Sequence, residues 1–311
     1  MDTSMDAIKE TILESWITSM PKKFIDFLNS QHHQLNHYFV SIHKHYRKRE
    51  KQLPVFHFQS PELEYRSELV RWLKALQKEL NFSTLSLHLS VHLMDYFMDN
   101  HMIAIEKLSR VALVCMLIAV SFEDLDGVLP SLQSLCEKIG HEFNRKDIIE
   151  VQGTVLKFYG FNIGHSTVAH FAHMFLAFII DETDLEGMTV RSRGTLCVEY
   201  YEHALTVLNT LLDRCLMEVQ YLKFEQSLVA SVFILAIRKS LDLSPCWTKF
   251  LQFITGYSPE DLYPCIVLYN TLQSPEAQIS VDHFKLSSSE DSGYTTSSSC
   301  NSPQSNHSST T

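Results

Sequence analysis

Along most of this chain, apolar residues recur at the three- or four-residue spacing that places them on one face of an α-helix. One such stripe consists of Leu69, Leu73, Leu76 and Leu80. Ser60-Pro61-Glu62 precedes the stripe and supplies a proline suited to a first helical turn. Only nine of the 311 residues are glycine. The pattern therefore predicts an all-α fold of helices joined by short connections.

One segment departs from the helical spacing. Between Leu85 and Leu93 every second residue is leucine or valine, and the residues between them are serine or histidine. By its period alone this alternation indicates a half-buried strand. We interpret it as a helix, because the run is leucine-rich, lies between helical segments and continues as Met94-Asp95-Tyr96-Phe97-Met98.

Neither a membrane span nor a secretion signal is predicted. The longest apolar runs, residues 111–120 and 228–237, are about half the roughly 20 residues that a spanning helix needs. We expect both to be buried helices. The first fifteen residues are acidic and lack an apolar signal core, and the seven cysteines are odd in number and scattered. The chain is therefore expected to stay inside the cell with reduced thiols.

The charge balance favours a protein partner over a nucleic acid. The formal net charge is -10, whereas affinity for nucleic acid comes mainly from clustered lysine and arginine. The basic, histidine-rich residues 43–51 are an exception. They could be a nuclear import signal or a phosphate-binding patch. A charged helix C-terminus is the favoured interpretation of this stretch.

The sequence shows no catalytic or metal-binding signature. Phosphate-binding loops, zinc-protease motifs, serine-hydrolase elbows and kinase signatures are all missing. His33 and His37 have the spacing of two ligands on one helix, but no third ligand stands at a useful interval. His170 and His173 are interpreted as histidines at the edge of the core. We predict no catalytic residue, no metal and no cofactor.

Six segments together resemble the cyclin family. They are YRSELVRWL (65–73), LHLSVHLMDYF (87–97), LIAVSFED (117–124), VLKFYGFNI (155–163), TVAHF (167–171) and TGYSPEDLYPCI (255–266). The resemblance covers residues 36–273, and residues 49–54 and 59–63 are similar to the cyclin J group of that family. It implies two five-helix cyclin boxes in tandem, at 36–164 and 165–273. A helical extension at 1–35 precedes them, and a disordered Ser/Thr-rich tail at 274–311 follows.

The resemblance also implies a function. Cyclins are non-catalytic regulatory subunits that bind a cyclin-dependent protein kinase, modulate its activity in cell-cycle control and work in the nucleus, with a cytoplasmic pool also open. One alternative is a cyclin-fold adaptor that holds another protein without activating a kinase. Another is a nucleic-acid-binding factor of the same fold, against which the acidic balance counts.

Kinase-binding residues are carried over from the family to Ser121, Phe122, Glu123 and Gln152. Strongly activating cyclins have a lysine at the position of Ser121 and a glutamate at that of Gln152. Both charges are missing here. Because charge-assisted hydrogen bonds are roughly twice as strong as neutral ones, we expect a weaker or altered kinase contact.

A substrate-docking patch is implied at Tyr65, Leu69 and Trp72. Tyr65 replaces the usual methionine, and Glu68 puts a carboxylate where an isoleucine would line an apolar groove. Standard recruitment of Arg-x-Leu substrates is therefore doubtful. The alternative is that Leu69 and Trp72 are simply core residues.

Two further features follow from the resemblance. Arg66 and Asp95 occupy the positions of a structural ion pair between the first two helices of the first box, with an exposed arginine as the alternative. In the tail, the segment around Ser292 and Ser297 resembles a phosphorylation-dependent degradation signal read by a ubiquitin ligase. Ser302 precedes a proline, as in proline-directed phosphorylation sites. The alternative is a passive tail.

Overall fold

Helices make up all the regular structure that is described. The computed structural model describes residues 2–30, 37–124, 129–139, 144–187, 189–273 and 279. Its α-helices are α1 (Asp2–Ser19), α2 (Lys22–Ser30), α3 (His37–Glu50), α4 (Leu63–Leu80), α5 (Thr84–Asn100), α6 (Ile105–Glu123), α7 (Leu132–Ile139), α8 (Arg145–Phe158), α9 (Val168–Leu176), α10 (Val190–Met217), α11 (Gln226–Ser240), α12 (Lys249–Thr255) and α13 (Pro259–Leu272). The all-α prediction is confirmed.

The first repeat, α4–α8, is built around α5 and α6. Helix α5 runs through the segment with alternating leucines, and every residue from 86 to 98 is buried. Ser83 caps the helix by accepting a hydrogen bond from the Ser86 backbone N–H at 3.0 Å. Because neighbours cover α5 on all sides, its serines and histidines are buried as well as its leucines. The interpretation of this segment as a helix is confirmed.

The second repeat, α9–α13, is built around α11. Helix α11 packs against α9, α10 and α13, and residues 229–238 are all buried. Ser258 starts α13 by bonding to Asp261, and Pro259 occupies the first turn. The apolar runs 111–120 and 228–237 thus lie in α6 and α11. The predicted arrangement of two five-helix bundles is confirmed, and no helix in the described ranges is long and apolar enough to cross a bilayer.

The N-terminal extension packs on the second repeat. Trp16 of α1 is buried, stacks on Phe250 with ring centroids 5.7 Å apart, and donates its indole N–H to the Ile180 carbonyl at 3.2 Å. On α2, Phe24 is fully buried beside Tyr201. The extension is therefore helical, as predicted, and its apolar side completes the core of the second repeat.

Helix α3 also lies against the second repeat. Phe39 meets Phe178 edge to face at 4.7 Å, and the ring of His43 is 5.7 Å from that of Phe175. The sequence-based boundary at residue 36 assigns α3 to the first box, yet its aromatic side faces the second. The residues up to 279 form one compact unit.

Candidate protein-interaction site

The frame of the site includes the predicted ion pair. The structure places Arg66 of α4 against Asp95 of α5, with Nε donating to Oδ1 at 2.7 Å and Nη2 donating to Oδ2 at 2.9 Å. Both residues are buried, at 4% and 1% exposure. Arg66 Nη1 also donates to the Leu216 carbonyl at 2.8 Å, at the end of α10. Arg66 therefore joins the two helices of the first repeat to a helix of the second.

Burial and attraction act in opposite directions on this pair. Burial raises the pKa of the Asp95 carboxyl, and the attraction of Arg66 offsets that rise only in part. The bidentate geometry satisfies both carboxylate oxygens of Asp95. Arg66 is therefore buried, and the alternative of an exposed arginine is wrong.

A second buried arginine was missed by the sequence reasoning. Arg238 of α11 donates from Nη1 to Asp184 Oδ2 at 2.8 Å and from Nη2 to Asp184 Oδ1 at 2.9 Å. It also donates to the carbonyls of Ile179 and Pro245, at 2.6 and 2.9 Å. The available signal was an arginine at the end of an apolar run together with an acidic loop 54 residues away. Each repeat thus contains a buried Arg–Asp pair.

The basic stretch at the end of α3 is partly turned inward. Arg47 bonds to Glu50 at 2.7 Å and Glu225 at 2.9 Å, and it also donates to the Ser227 and Tyr257 hydroxyls. Glu50 accepts from the Ser227 backbone N–H at 2.7 Å. Helix α3 ends at Glu50 with basic residues in its last turn, as the favoured interpretation expects. Arg47 nevertheless serves packing against the second repeat.

The residues carried over as kinase-binding lie on two helices that pack together, α6 and α8. Ser121 is exposed and donates its hydroxyl to the Leu117 carbonyl one turn earlier, at 2.8 Å. Glu123 lies 3.1 Å from His170 Nε2. Gln152 is half-buried in the middle of α8. The structure therefore brings the α6 residues to one helix end, with Gln152 on the adjacent helix.

Phe122 stands out because it is an exposed aromatic residue at that helix end. Its exposed fraction is 53%, although its ring touches the segment around Gly164. A Cβ atom on Gly164 would lie 2.6 Å from Phe122 Cζ, closer than carbon atoms can approach. Glycine at position 164 therefore makes room for the ring of Phe122.

Two further apolar residues, on α8 and in the loop after it, are exposed and were not singled out from the sequence. They are Phe161, in the loop after α8 and 69% exposed, and Ile149 on α8, 50% exposed. Phe122 and Phe161 both line an open cavity of about 410 Å³, whose other walls include Arg49, Asn162, His165 and His170. The signal for Phe161 was its place in one of the matched segments. Exposed aromatic residues that line one cavity, as Phe122 and Phe161 do, are typical of a protein-binding surface.

The predicted docking residues Tyr65, Leu69 and Trp72 lie on one face of α4. Leu69 is buried, at 8% exposure, within the core of the first repeat. Tyr65 and Trp72 are partly buried against the same core, and Glu68 is exposed. The burial of Leu69 supports the alternative that it is a core residue.

Several predicted residues cannot be placed or form no cluster. His33, Ser292, Ser297 and Ser302 lie outside the described residues, as does the side chain of His37. His170 is buried and in contact with Thr167 and Glu123. Within the described ranges no three His, Cys, Asp or Glu side chains come together as metal ligands would.

Comparison with known proteins matches both halves of the molecule. The family model of the cyclin N-terminal domain matches residues 37–164, and that of the cyclin C-terminal domain matches residues 190–302. The chain is 30% identical to cyclin-J of Xenopus laevis over 73% of this chain and 60% of that protein. It is 29% identical to a cyclin-J-like protein of Mus musculus over 72% of this chain and 59% of that protein.

Less similar proteins that match this chain are also cyclins. Cyclin-A2-1 of Oryza sativa subsp. japonica is 26% identical over 67% of this chain and 39% of that protein. The X-ray structure of a viral cyclin from herpesvirus saimiri superposes with a TM-score of 0.56 at 16% identity, covering 71% of this chain and 92% of that one, and so shares the fold. The chain spans about three fifths of the cyclin-J relatives it matches, at 60% and 59%. With both domain models matched in order along most of its length, the chain belongs to the cyclin family.

Proposed function

We propose that this cyclin-fold chain is a regulatory subunit that binds a cyclin-dependent protein kinase and modulates its activity in cell-cycle control. The end of α6, helix α8 and the loop after α8 form the contact face. Phosphoryl transfer is left to the kinase, whose conformation shifts because the cyclin binds one state of it more tightly. The observation that carries the proposal is the exposed ring of Phe122, a residue carried over as kinase-binding, on the same cavity as the exposed ring of Phe161.

Burial of these side chains would supply the attraction. Fully burying a phenylalanine or isoleucine contributes roughly 1.5 to 3 kcal/mol, and aromatic residues are frequent anchors of protein interfaces. The ring of Phe122 already packs against the backbone at Gly164. The anchor is therefore partly ordered before binding, which lowers the entropy lost in the complex.

Ser121 and Gln152 favour a second candidate, an adaptor that binds a kinase or another protein without activating a kinase. Neither residue carries the charge that strongly activating cyclins have at its position. The Ser121 hydroxyl also already donates a hydrogen bond to a backbone carbonyl of its own helix. The loss of two charge-assisted bonds weakens an interface by about 1 to 3 kcal/mol, or roughly ten- to a hundredfold in affinity.

Co-expression with a panel of cyclin-dependent kinases tests the binding proposal. We expect at least one kinase to copurify in a one-to-one complex, and Phe122→Asp to abolish that complex. Met102→Asp is the matched control, because Met102 is 91% exposed and precedes α6, at the opposite end of that helix from Phe122. Failure to recover any kinase, or equal recovery with Phe122→Asp, would contradict the proposal.

A kinase assay on the purified complex separates the two candidates. Higher activity of the complex than of the kinase alone, towards a generic peptide substrate, supports the regulatory subunit. A stoichiometric complex with unchanged activity supports the adaptor.

We further propose a nuclear location and recognition of the tail by a ubiquitin ligase. Imaging of a fluorescent fusion, and its half-life after Ser292→Ala and Ser297→Ala, test these two points.

A further inference from the structure

An open groove lies on the side of the molecule formed by α1, α3 and the end of α12. Its volume is about 500 Å³. Its walls are Met5, Asp6, Lys9, Val40, His43, Lys44, Arg47, Lys48, Lys51, Thr255 and Gly256. None of these residues is among those carried over for kinase or substrate binding. The groove includes the basic stretch for which a phosphate-binding patch was one open interpretation.

The groove is strongly cationic, although the whole chain has a net charge of -10. Five lysine or arginine side chains and one carboxylate line it. The carboxylate, Asp6, is paired with Lys44 at 2.6 Å, and Arg47 is paired with Glu50 and Glu225.

Three further lysines line the groove. They are Lys9, Lys48 and Lys51, and among the described residues none of them forms an ion pair, although Asp6 lies near enough to Lys9, and Glu225 to Lys51, for their charges to interact. Lys48 and Lys51 are exposed at the end of α3. A concentration of unpaired ammonium groups in a concave surface favours an anionic ligand.

Lys9 is the lysine of the groove whose charged form a bound anion would stabilise most clearly. Its ammonium group lies 5.9 Å from the centre of the Phe253 ring and is partly shielded from water. Burial lowers the pKa of Lys9, the nearby Arg47 lowers it further, and Asp6 only partly opposes the change. A negative group in the groove would relieve the repulsion between Lys9 and Arg47.

We propose that this groove binds a phosphorylated segment of a partner protein, through the phosphate of a phosphoserine or phosphothreonine. A phosphate carries about two negative charges and three acceptor oxygens, which suits three unpaired ammonium groups better than a single carboxylate does. The acidic remainder of the chain repels extended polyanions such as nucleic acid or an anionic membrane. A short phosphopeptide meets only the groove.

Fluorescence anisotropy tests the proposal with the full chain. The probe is a fluorescein-labelled peptide of glycine and alanine with one phosphoserine, compared with the same peptide carrying serine. We expect the phosphopeptide to bind at least about tenfold more tightly, and its affinity to fall as salt is raised, because exposed charges are screened. Equal binding of the two peptides would overturn the proposal.

Charge reversal locates the site. Lys48→Glu with Lys51→Glu is expected to weaken phosphopeptide binding at least about tenfold. Lys78→Glu with Lys107→Glu is the control, because both lysines are exposed, lie on α4 and α6, and change the net charge equally. The alanine pair Lys48→Ala and Lys51→Ala is expected to show a smaller loss in the same direction. An equal loss in the control pair, or tighter binding to duplex DNA or phosphatidylserine vesicles than to the phosphopeptide, would contradict the assignment.

Discussion

At the scale of single residues, the buried arginines show what burial does to a charge. Arg66 and Asp95 satisfy each other, and Arg66 also bonds to the end of α10. Removal of one partner is expected to cost far more than the pair contributes, since the remaining charge stays buried without compensation.

We therefore expect Arg66→Ala to lower the free energy of unfolding by about 3 to 5 kcal/mol. Asp95 would remain in the core without its counter-charge, and the Leu216 carbonyl would lose a donor. Urea unfolding followed by circular dichroism measures the change. Arg71→Ala on the same helix is the control, since Arg71 is exposed, and a surface change of this kind is usually within about 0.5 kcal/mol. A loss for Arg66→Ala no larger than that for the control would contradict the structural role of the pair.

The kinase face gives a second prediction at this scale. Restoring the family charges with Ser121→Lys and Gln152→Glu should tighten binding of the copurified kinase by roughly ten- to a hundredfold, through two charge-assisted bonds. Isothermal titration calorimetry measures the dissociation constants. The reversed pair, Ser121→Glu and Gln152→Lys, has the same bulk and the wrong signs. A gain from the reversed pair as large as that from the restored pair would refute the explanation.

Sequence reasoning at the residue scale succeeded where a motif was available. Arg66 and Asp95 lie inside segments that resemble known cyclin helices, so their pairing could be predicted. Arg238 and Asp184 lie far apart in the sequence and in no quoted segment, so nothing local joined them. Phe161 and Ile149 were missed because an exposed apolar residue on a helix or loop has the same local pattern as a buried one.

At the scale of elements, the N-terminal helices contribute to the stability of the second repeat. Leu13, Trp16, Met20, Phe24 and Leu28 are all at or below 5% exposure. Their burial against α10, α12 and the segment after α9 is long-range packing, which a sequence pattern can suggest but cannot direct to one partner.

Trp16→Ala should therefore destabilise the protein by about 3 to 5 kcal/mol, the usual cost of removing a buried tryptophan. The change leaves a cavity beside Phe250 and removes the donor of the Ile180 carbonyl. Thermal and urea unfolding measure the effect, with Ile8→Ala as the control because Ile8 is 45% exposed. If Trp16→Ala unfolds at the same urea concentration as Ile8→Ala, the extension does not stabilise the second repeat.

Helix α5 illustrates the limit of periodicity at this scale. The alternation of its leucines and valine with polar residues matches a strand. The leucine-rich composition and the helical neighbours nevertheless led to the correct prediction of a helix. The reason lies in tertiary structure, because a central helix is buried on every side and needs no polar stripe.

At the scale of the whole molecule, buried neutral histidines make stability depend on pH. Burial lowers the pKa of His43 and of His88 to about 3, and that of His165 to about 4. The ordinary value is near 6.5. Between these values the unfolded chain binds protons that the folded chain does not, so the free energy of unfolding falls as pH decreases below about 6.5.

Each of His43 and His88 is expected to cost about 2 kcal/mol of stability at pH 5 relative to pH 7. His43→Phe should remove one such contribution and flatten the pH dependence by that amount, because its surroundings are the aromatic rings of Phe39, Phe171 and Phe175. His45→Phe, at an exposed position on the same helix, is the control. Urea unfolding at pH 5 and pH 7 measures the effect. If the difference in unfolding free energy between the two pH values is unchanged in His43→Phe, the prediction is wrong.

The overall architecture could be predicted because helical periodicity and six matched segments agreed along the chain. The contacts between the repeats could not. Arg66 reaching α10, and α3 packing on the second repeat, depend on how separate helices meet in space. The basic groove has the same origin, since Lys9 and the α3 lysines come together only when α1 and α3 are folded side by side.

Hydrogen–deuterium exchange of the kinase complex tests the central claim most directly. With a copurified kinase bound, we predict slowed exchange in residues 118–124 and 146–163, the end of α6 and the region of α8 and its following loop. Exchange in α10 and α13 should be unchanged. Protection confined to the second repeat, or no protection when the kinase is bound, would contradict the assignment of this face.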